Sequence, residues 1–156
     1  MLTQRFIVET ALFLLFALPL SIMDARKFRI SIPFTILGIA GFLAFRLISY
    51  PSLKMVQICL VSSATSALVF FIARVLSGNG LGKGDIIYGI LTSLYALFFV
   101  NLVGIAFAAL LGILYYLFLA VLDRFRKSEK VLRPIFAIPF VPFISAGAVL
   151  ARIFFG

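Results

Sequence analysis

Residues 86–122 read IIYGILTSLYALFFVNLVGIAFAALLGILYYLFLAVL, a stretch without a single charged side chain. A helix crosses a bilayer core of roughly 30 Å with about 20 predominantly apolar residues, so this stretch is too long for one span. Asn101 and Gly104 interrupt its apolar character near the middle. The sequence therefore predicts two helices, Ile86–Asn101 and Leu102–Leu122, joined by a tight hairpin.

The rest of the chain repeats this apolar character. The composition is 64% hydrophobic and 12% charged, with a mean hydropathy of +1.24. Further apolar runs cover Phe6–Met23, Ile30–Tyr50, Leu53–Ser77 and Pro134–Phe155. Such continuous runs are typical of membrane helices, whereas apolar and polar residues alternate along the strands of a membrane barrel. The sequence predicts an all-α integral membrane protein, a six-transmembrane-helix bundle that forms a single domain over residues 1–156.

The basic residues predict the orientation of this bundle, because loops on the cytoplasmic side are enriched in Lys and Arg. Ten of them fall on one side of the predicted bundle, namely Arg26, Lys27, Arg29, Arg74, Lys83, Arg124, Arg126, Lys127, Lys130 and Arg133. Four fall on the other side, namely Arg5, Arg46, Lys54 and Arg152. We therefore expect a multi-pass protein of the inner (cytoplasmic) membrane with both termini outside.

Composition also excludes several function classes. The chain has no histidine and one cysteine, Cys59, which argues against Ser-His and Cys-His catalysis, against common zinc sites and against a disulfide. No cofactor or metal is predicted. The net charge of +9 is explained by the cytoplasmic loops and by attraction to anionic membrane lipids, so nucleic-acid binding is not expected.

Two of the five acidic residues lie where an apolar segment meets a loop. Asp24 ends the first predicted span and Asp85 opens the fourth, which places both at the same, cytoplasmic boundary. Glu9, by contrast, is predicted to be solvated near the outer face. Because a carboxylate at membrane depth is expensive to keep, Asp24 and Asp85 are the candidate catalytic residues. The structural alternative is that each merely caps a helix.

Glycines concentrate directly before Asp85, in the segment Gly78-Asn79-Gly80-Leu81-Gly82-Lys83-Gly84. A phosphate loop would need Ser or Thr after Gly-Lys, and this chain has Gly84 there. Gly82 and Gly84 instead allow close backbone approach and a sharp turn into a helix. Gly82, Lys83 and Gly84 are predicted to form an active-site loop.

Gly82-Lys83-Gly84-Asp85 resembles the GxGD signature of intramembrane aspartyl proteases, in particular the type IV prepilin peptidase family. The segment Asp24–Ile30, which contains Arg26, Lys27 and Arg29 as site-adjacent basic residues, is similar to that family's first aspartate motif. Residues 138–143, Ile-Pro-Phe-Val-Pro-Phe, together with Gly147, resemble its last span.

The resemblance implies a peptidase-only short form with Asp24 and Asp85 as its catalytic pair. Its substrates would be prepilin or pseudopilin-like precursors with a hydrophobic helix, which serve type IV pili or protein secretion. Two departures stand out: Ser31 follows Ile30 where the family has Ile-Pro-Asn, and Ile87 stands where it commonly has Lys. They favour the alternatives, a non-catalytic filament assembly factor or a small membrane transporter.

Overall fold

The chain is a bundle of helices, seen in a computed structural model that describes residues 2–78, 81–125 and 139–156. Within these residues there are six helices and no strand: α1 Leu2–Lys27, α2 Ile32–Ser49, α3 Leu53–Leu76, α4 Lys83–Ala96, α5 Phe98–Phe125 and α6 Phe140–Phe155. Four of them, α1, α2, α3 and α5, are long and apolar enough to cross a membrane. The protein is therefore a helical, multi-pass membrane bundle.

The helix ends follow from local chemistry. α1 stops where Phe28 takes a left-handed backbone conformation with φ of 50°, and the Phe28 N–H donates to Asp24 O. Pro33 stands in the first turn of α2, where a missing N–H is tolerated. The Ser52 hydroxyl caps α3 by accepting from the Met55 N–H at 3.2 Å.

The predicted hairpin at Asn101 is wrong, because the chain breaks earlier, at Leu97. Leu97 has φ of 61° and separates a 14-residue α4 from a 28-residue α5 that contains Asn101. Arg46 donates to the carbonyls of Leu94 and Tyr95, which are among the last in α4. These carbonyls lack partners within the helix, so a distant guanidinium satisfies the helix end here.

α4 lies at the centre of the bundle and contacts α1, α2, α3, α5 and α6. Nearly all of its residues from Tyr88 to Ala96 are buried. Successive helices run in opposite directions, so the bundle has two ends. We call the end that holds Asp24 and Asp85 the aspartate end, and the end that holds Glu9, Arg46 and Arg152 the arginine end.

The arginine end overturns one sequence-based prediction. Glu9 is not solvated: its side chain is 1% exposed and forms salt bridges with Arg46 and Arg152. Two cations that lie far away in the sequence surround this carboxylate, which allows it to be buried. Of the predicted sixth span, residues 134–138 lie outside the described residues.

Candidate functional site

Asp24 lies in the last turn of α1 and is buried, with 6% of its surface exposed. Its Oδ2 accepts a hydrogen bond from the Val141 N–H at 2.9 Å. Pro139 is the N-cap of α6, so the free N–H groups of the first turn of α6 face this carboxylate. The apolar motif at residues 138–143 therefore supplies the backbone donor for Asp24.

Asp85 is the third residue of α4 and is 8% exposed. Its Oδ2 accepts from the Gly82 N–H at 2.9 Å, which turns the side chain back over the start of its own helix. The Arg74 guanidinium donates to Leu81 O and so holds the segment that leads into α4. Within the described chain, no donor contacts Oδ1 of Asp85.

The fold brings the two predicted aspartates together. Asp24 and Asp85 are close enough to interact electrostatically, and the described parts of the chain place no salt bridge on either of them. Like charges at close range disfavour each other's ionisation, so two buried carboxyl groups at one end of the bundle are a candidate site for acid-base chemistry.

A layer of hydroxyl groups lies one helical turn farther into the bundle. The Ser145 hydroxyl donates to Val141 O at 2.8 Å, and it lies 2.5 Å from the Tyr88 hydroxyl and 3.2 Å from that of Ser21. Ser21 precedes Asp24 by three residues, and Tyr88 follows Asp85 by three. Residues three apart share a helix face, so this layer fixes the relative positions of α1, α4 and α6.

The positioning role of the Tyr88 and Ser145 hydroxyl groups and the contact of Arg74 with Leu81 O were not predicted from the sequence. Tyr88 is fully buried, and the three-residue spacing from Asp85 was a usable signal for it. No spacing rule connects Arg74 to Leu81 or Ser145 to Tyr88, because each of these pairs joins two different helices or a helix and a loop.

The predicted glycine loop touches the first aspartate motif. A Cβ atom added to Gly84 would lie 3.0 Å from the Cβ of Ile30, which is closer than ordinary contact. A Cβ at Gly82 would lie 3.1 Å from Asp85 Oδ2. Both glycines therefore permit close approach, Gly84 towards the segment after α1 and Gly82 towards the carboxylate.

The predicted site-adjacent cations lie on the surface of the aspartate end. Arg26 and Lys27 occupy the last turn of α1, Arg29 follows it, and Lys83 opens α4. All four are exposed. In the described residues none of them pairs with an aspartate, so the structure brings together the two carboxylates and the glycines but leaves these cations facing outward.

Both carboxylates lie at helix N-termini, Asp85 at α4 and Asp24 at α6. The partial positive charge of a helix N-terminus acts on each of them, and each also caps a helix. Capping is thus a structural role that any test of catalysis has to separate from chemistry. Among the described residues, no group of three or more metal-ligating side chains occurs.

No protein-family model, curated protein or solved structure matches this chain. A function therefore has to be inferred from its own residues and their geometry.

Proposed function

We propose that the chain is an intramembrane aspartyl endopeptidase that removes the short basic leader from prepilin-like precursors at the cytoplasmic boundary of the inner membrane. The observation that carries this proposal is the burial of Asp24 and Asp85 at the same end of the bundle, within electrostatic range of each other. The motifs that resemble the prepilin peptidase family supply the substrate class.

The chemistry needs only the two carboxyl groups and water. The ionised aspartate accepts a proton from a water molecule, whose oxygen attacks the scissile carbonyl carbon. The protonated aspartate donates a hydrogen bond to the carbonyl oxygen as negative charge develops there. When the C–N bond breaks, the leaving nitrogen takes a proton from the pair, which returns to its single-proton state. The oxygen Oδ1 of Asp85, which has no donor within the described chain, suits the role of contacting water.

The membrane setting fits a precursor whose cleavage site borders a hydrophobic helix. Four long apolar helices place the bundle in the bilayer, and the aspartates lie at one end of it rather than at its middle. A substrate helix in the same bilayer would present its leader junction at that level. The excess of basic residues in the sequence segments that connect the spans at this end supports a cytoplasmic position for it, with both termini outside, under the positive-inside rule.

Asp24→Asn and Asp85→Asn test the proposal and separate chemistry from capping. Asn keeps a side-chain oxygen that accepts from a helix N-terminus nearly as well as Asp, but it cannot exchange a proton in this reaction. We expect each Asn variant to abolish cleavage of a co-expressed precursor, measured as a mobility shift and by mass spectrometry of the new N-terminus. Thermal stability should change by less than it does in Asp24→Ala or Asp85→Ala.

The double variant and a matched control complete the test. Because two residues that act as a unit are lost together, Asp24→Asn with Asp85→Asn should be no less active than either single variant. Asp123→Asn makes the same change of charge in α5 and should leave processing intact. Full processing by either single Asn variant would contradict the peptidase proposal and favour a non-catalytic assembly factor.

A further inference from the structure

The arginine end contains a second cluster of charged groups, far from the aspartates. Glu9 Oε1 accepts from Arg46 Nη1 at 2.8 Å, and Glu9 Oε2 accepts from Arg152 Nη2. Both guanidiniums also donate to Tyr95 O at the end of α4. Arg46 and Glu9 are almost completely buried, and Arg152 is 14% exposed.

This cluster carries more positive than negative charge. Two guanidiniums share one carboxylate, and the remaining partners are neutral carbonyls of α4. Excess charge in a buried membrane site is unfavourable unless a counter-ion lies close by. Arg5 adds a further cation at the same end: its guanidinium lies 5.4 Å from the centre of the Tyr50 ring and makes no hydrogen bond within the described chain. The local charges therefore favour an anion.

A cavity of about 390 Å³ opens beside this cluster. Charged groups from α1 and α6 line it, together with aromatic and aliphatic walls: Arg5, Phe6, Glu9, Tyr50, Arg152 and Ile153. Its volume lies within the range of roughly 300–1,000 Å³ that is typical of small-ligand pockets. A guanidinium presents several N–H donors in a plane, of which Arg152 uses two on protein partners and Arg5 none in the described residues. The donors that remain are suited to phosphate oxygens.

We propose that this cavity binds the phosphate group of an anionic membrane phospholipid, with Arg5 and Arg152 as its donors. The phosphate supplies the negative charge that the cluster lacks. Ile153 lines the cavity and is 58% exposed. Ile7 and Phe154, which follow the lining residues Phe6 and Ile153 in the chain, are 59% and 69% exposed, so this end of the bundle offers an apolar surface for acyl chains. A free phosphate would gain nothing from that surface, so the structure favours a lipid.

Short-chain phosphatidylglycerol, phosphatidylcholine and inorganic phosphate are the probes for this proposal. Binding is measured in a neutral detergent by titration calorimetry and by native mass spectrometry. We expect phosphatidylglycerol to bind more tightly than phosphatidylcholine, and inorganic phosphate to bind weakest. Since Gly156 also lines the cavity, every variant carries the same neutral extension after it, which keeps a terminal carboxylate away from Arg152.

Arg5→Gln and Lys54→Gln are a matched pair of variants. Both remove one exposed cation at the arginine end, but only Arg5 lines this cavity. Losing a charge-assisted hydrogen bond weakens binding by about tenfold or more, so we expect that loss of phosphatidylglycerol affinity in Arg5→Gln and none in Lys54→Gln. Equal weakening in both variants would overturn the site, because it would show nonspecific attraction to a basic surface.

Glu9→Gln should change lipid affinity in the opposite direction to Arg5→Gln. It removes the one acidic side chain among the cavity's described lining residues and should tighten lipid binding, whereas a purely structural cluster predicts no gain. If this variant does not fold, the Arg5→Gln and Lys54→Gln comparison decides the proposal alone. Equal affinity for inorganic phosphate and for phosphatidylglycerol would overturn the lipid assignment.

Discussion

Gly147→Ala is the substitution for which the structure predicts the clearest effect on folding. Gly147 lies in α6 where that helix packs most extensively, against α5. A Cβ atom there would lie 2.8 Å from Ala108 N and closer still to Gly104 O. These are backbone atoms of α5, so no side chain can rotate away to make room.

The magnitude follows from the missing space. Ordinary contacts to a Cβ begin at 3.4 Å, so even the longer of these two contacts, to Ala108 N, requires α5 and α6 to move apart by about 0.6 Å, and the contact to Gly104 O requires more. A gap of 0.5–1 Å forfeits roughly a quarter to a half of each van der Waals attraction along an interface. Because overpacking typically destabilises by about 1–3 kcal/mol, we expect about 3 kcal/mol here. For a chain of this size, that corresponds to a fall in Tm of roughly 6–12 °C.

The chain contains a natural reporter of unfolding, Cys59, and a second helical glycine, Gly112, for a control substitution. It has no tryptophan, but Cys59 is its single cysteine and is 2% exposed. A dye that fluoresces on reaction with a thiol will therefore report unfolding as Cys59 becomes accessible on heating. Gly112→Ala is the matched control, because in the described part of the chain nothing apart from the adjacent turns of α5 lies within 4 Å of a Cβ added there. It should leave Tm unchanged or raise it slightly, since Ala favours a helix.

Two results would refute this reasoning. A Tm of Gly147→Ala equal to that of Gly112→Ala would show that α5 and α6 do not pack through this glycine. An equal fall in both variants would show that the loss comes from helix flexibility rather than from contact between the helices.

Three further predictions concern other parts of the bundle. Gly89→Ala should lower Tm in the same dye assay, but by less than Gly147→Ala, because the Cβ would meet the side chain of Phe70 in α3, whose Cε2 lies 2.5 Å away, rather than backbone; an unchanged Tm would contradict the packing of α3 on α4. Glu9→Gln should destabilise the fold by about 3–5 kcal/mol, measured by the same assay, because two guanidiniums lose their carboxylate; a change below about 1 kcal/mol would refute a buried ion cluster. In a Cys59→Ser background, single cysteines at Ser52 and Ser128 should react with an impermeant thiol reagent from opposite sides of the membrane, and labelling from one side would contradict the predicted orientation.

The sequence alone determined the class of protein and the candidate catalytic pair. Long uncharged runs dictate membrane helices, because backbone groups in lipid have to be satisfied within the segment. Successive spans run in opposite directions, so the end of the first span and the start of the fourth lie at the same end of the bundle. Asp24 and Asp85 occupy these two positions. The glycines before Asp85 signalled close approach, and the space at Gly84 is indeed occupied by Ile30.

The tertiary structure decided what depends on partners from other helices. The break at Leu97 and the burial of Glu9 both follow from Arg46, which comes from α2 and satisfies the end of α4 and the carboxylate of α1 at once. Similarly, the donor for Asp24 is the Val141 N–H of α6, more than one hundred residues away. The pattern of apolar residues indicates which residues avoid water, but it does not indicate which buried charged side chains pair with each other. In the membrane interior that pairing determines whether a charged residue can be buried, so it becomes visible only in the folded chain.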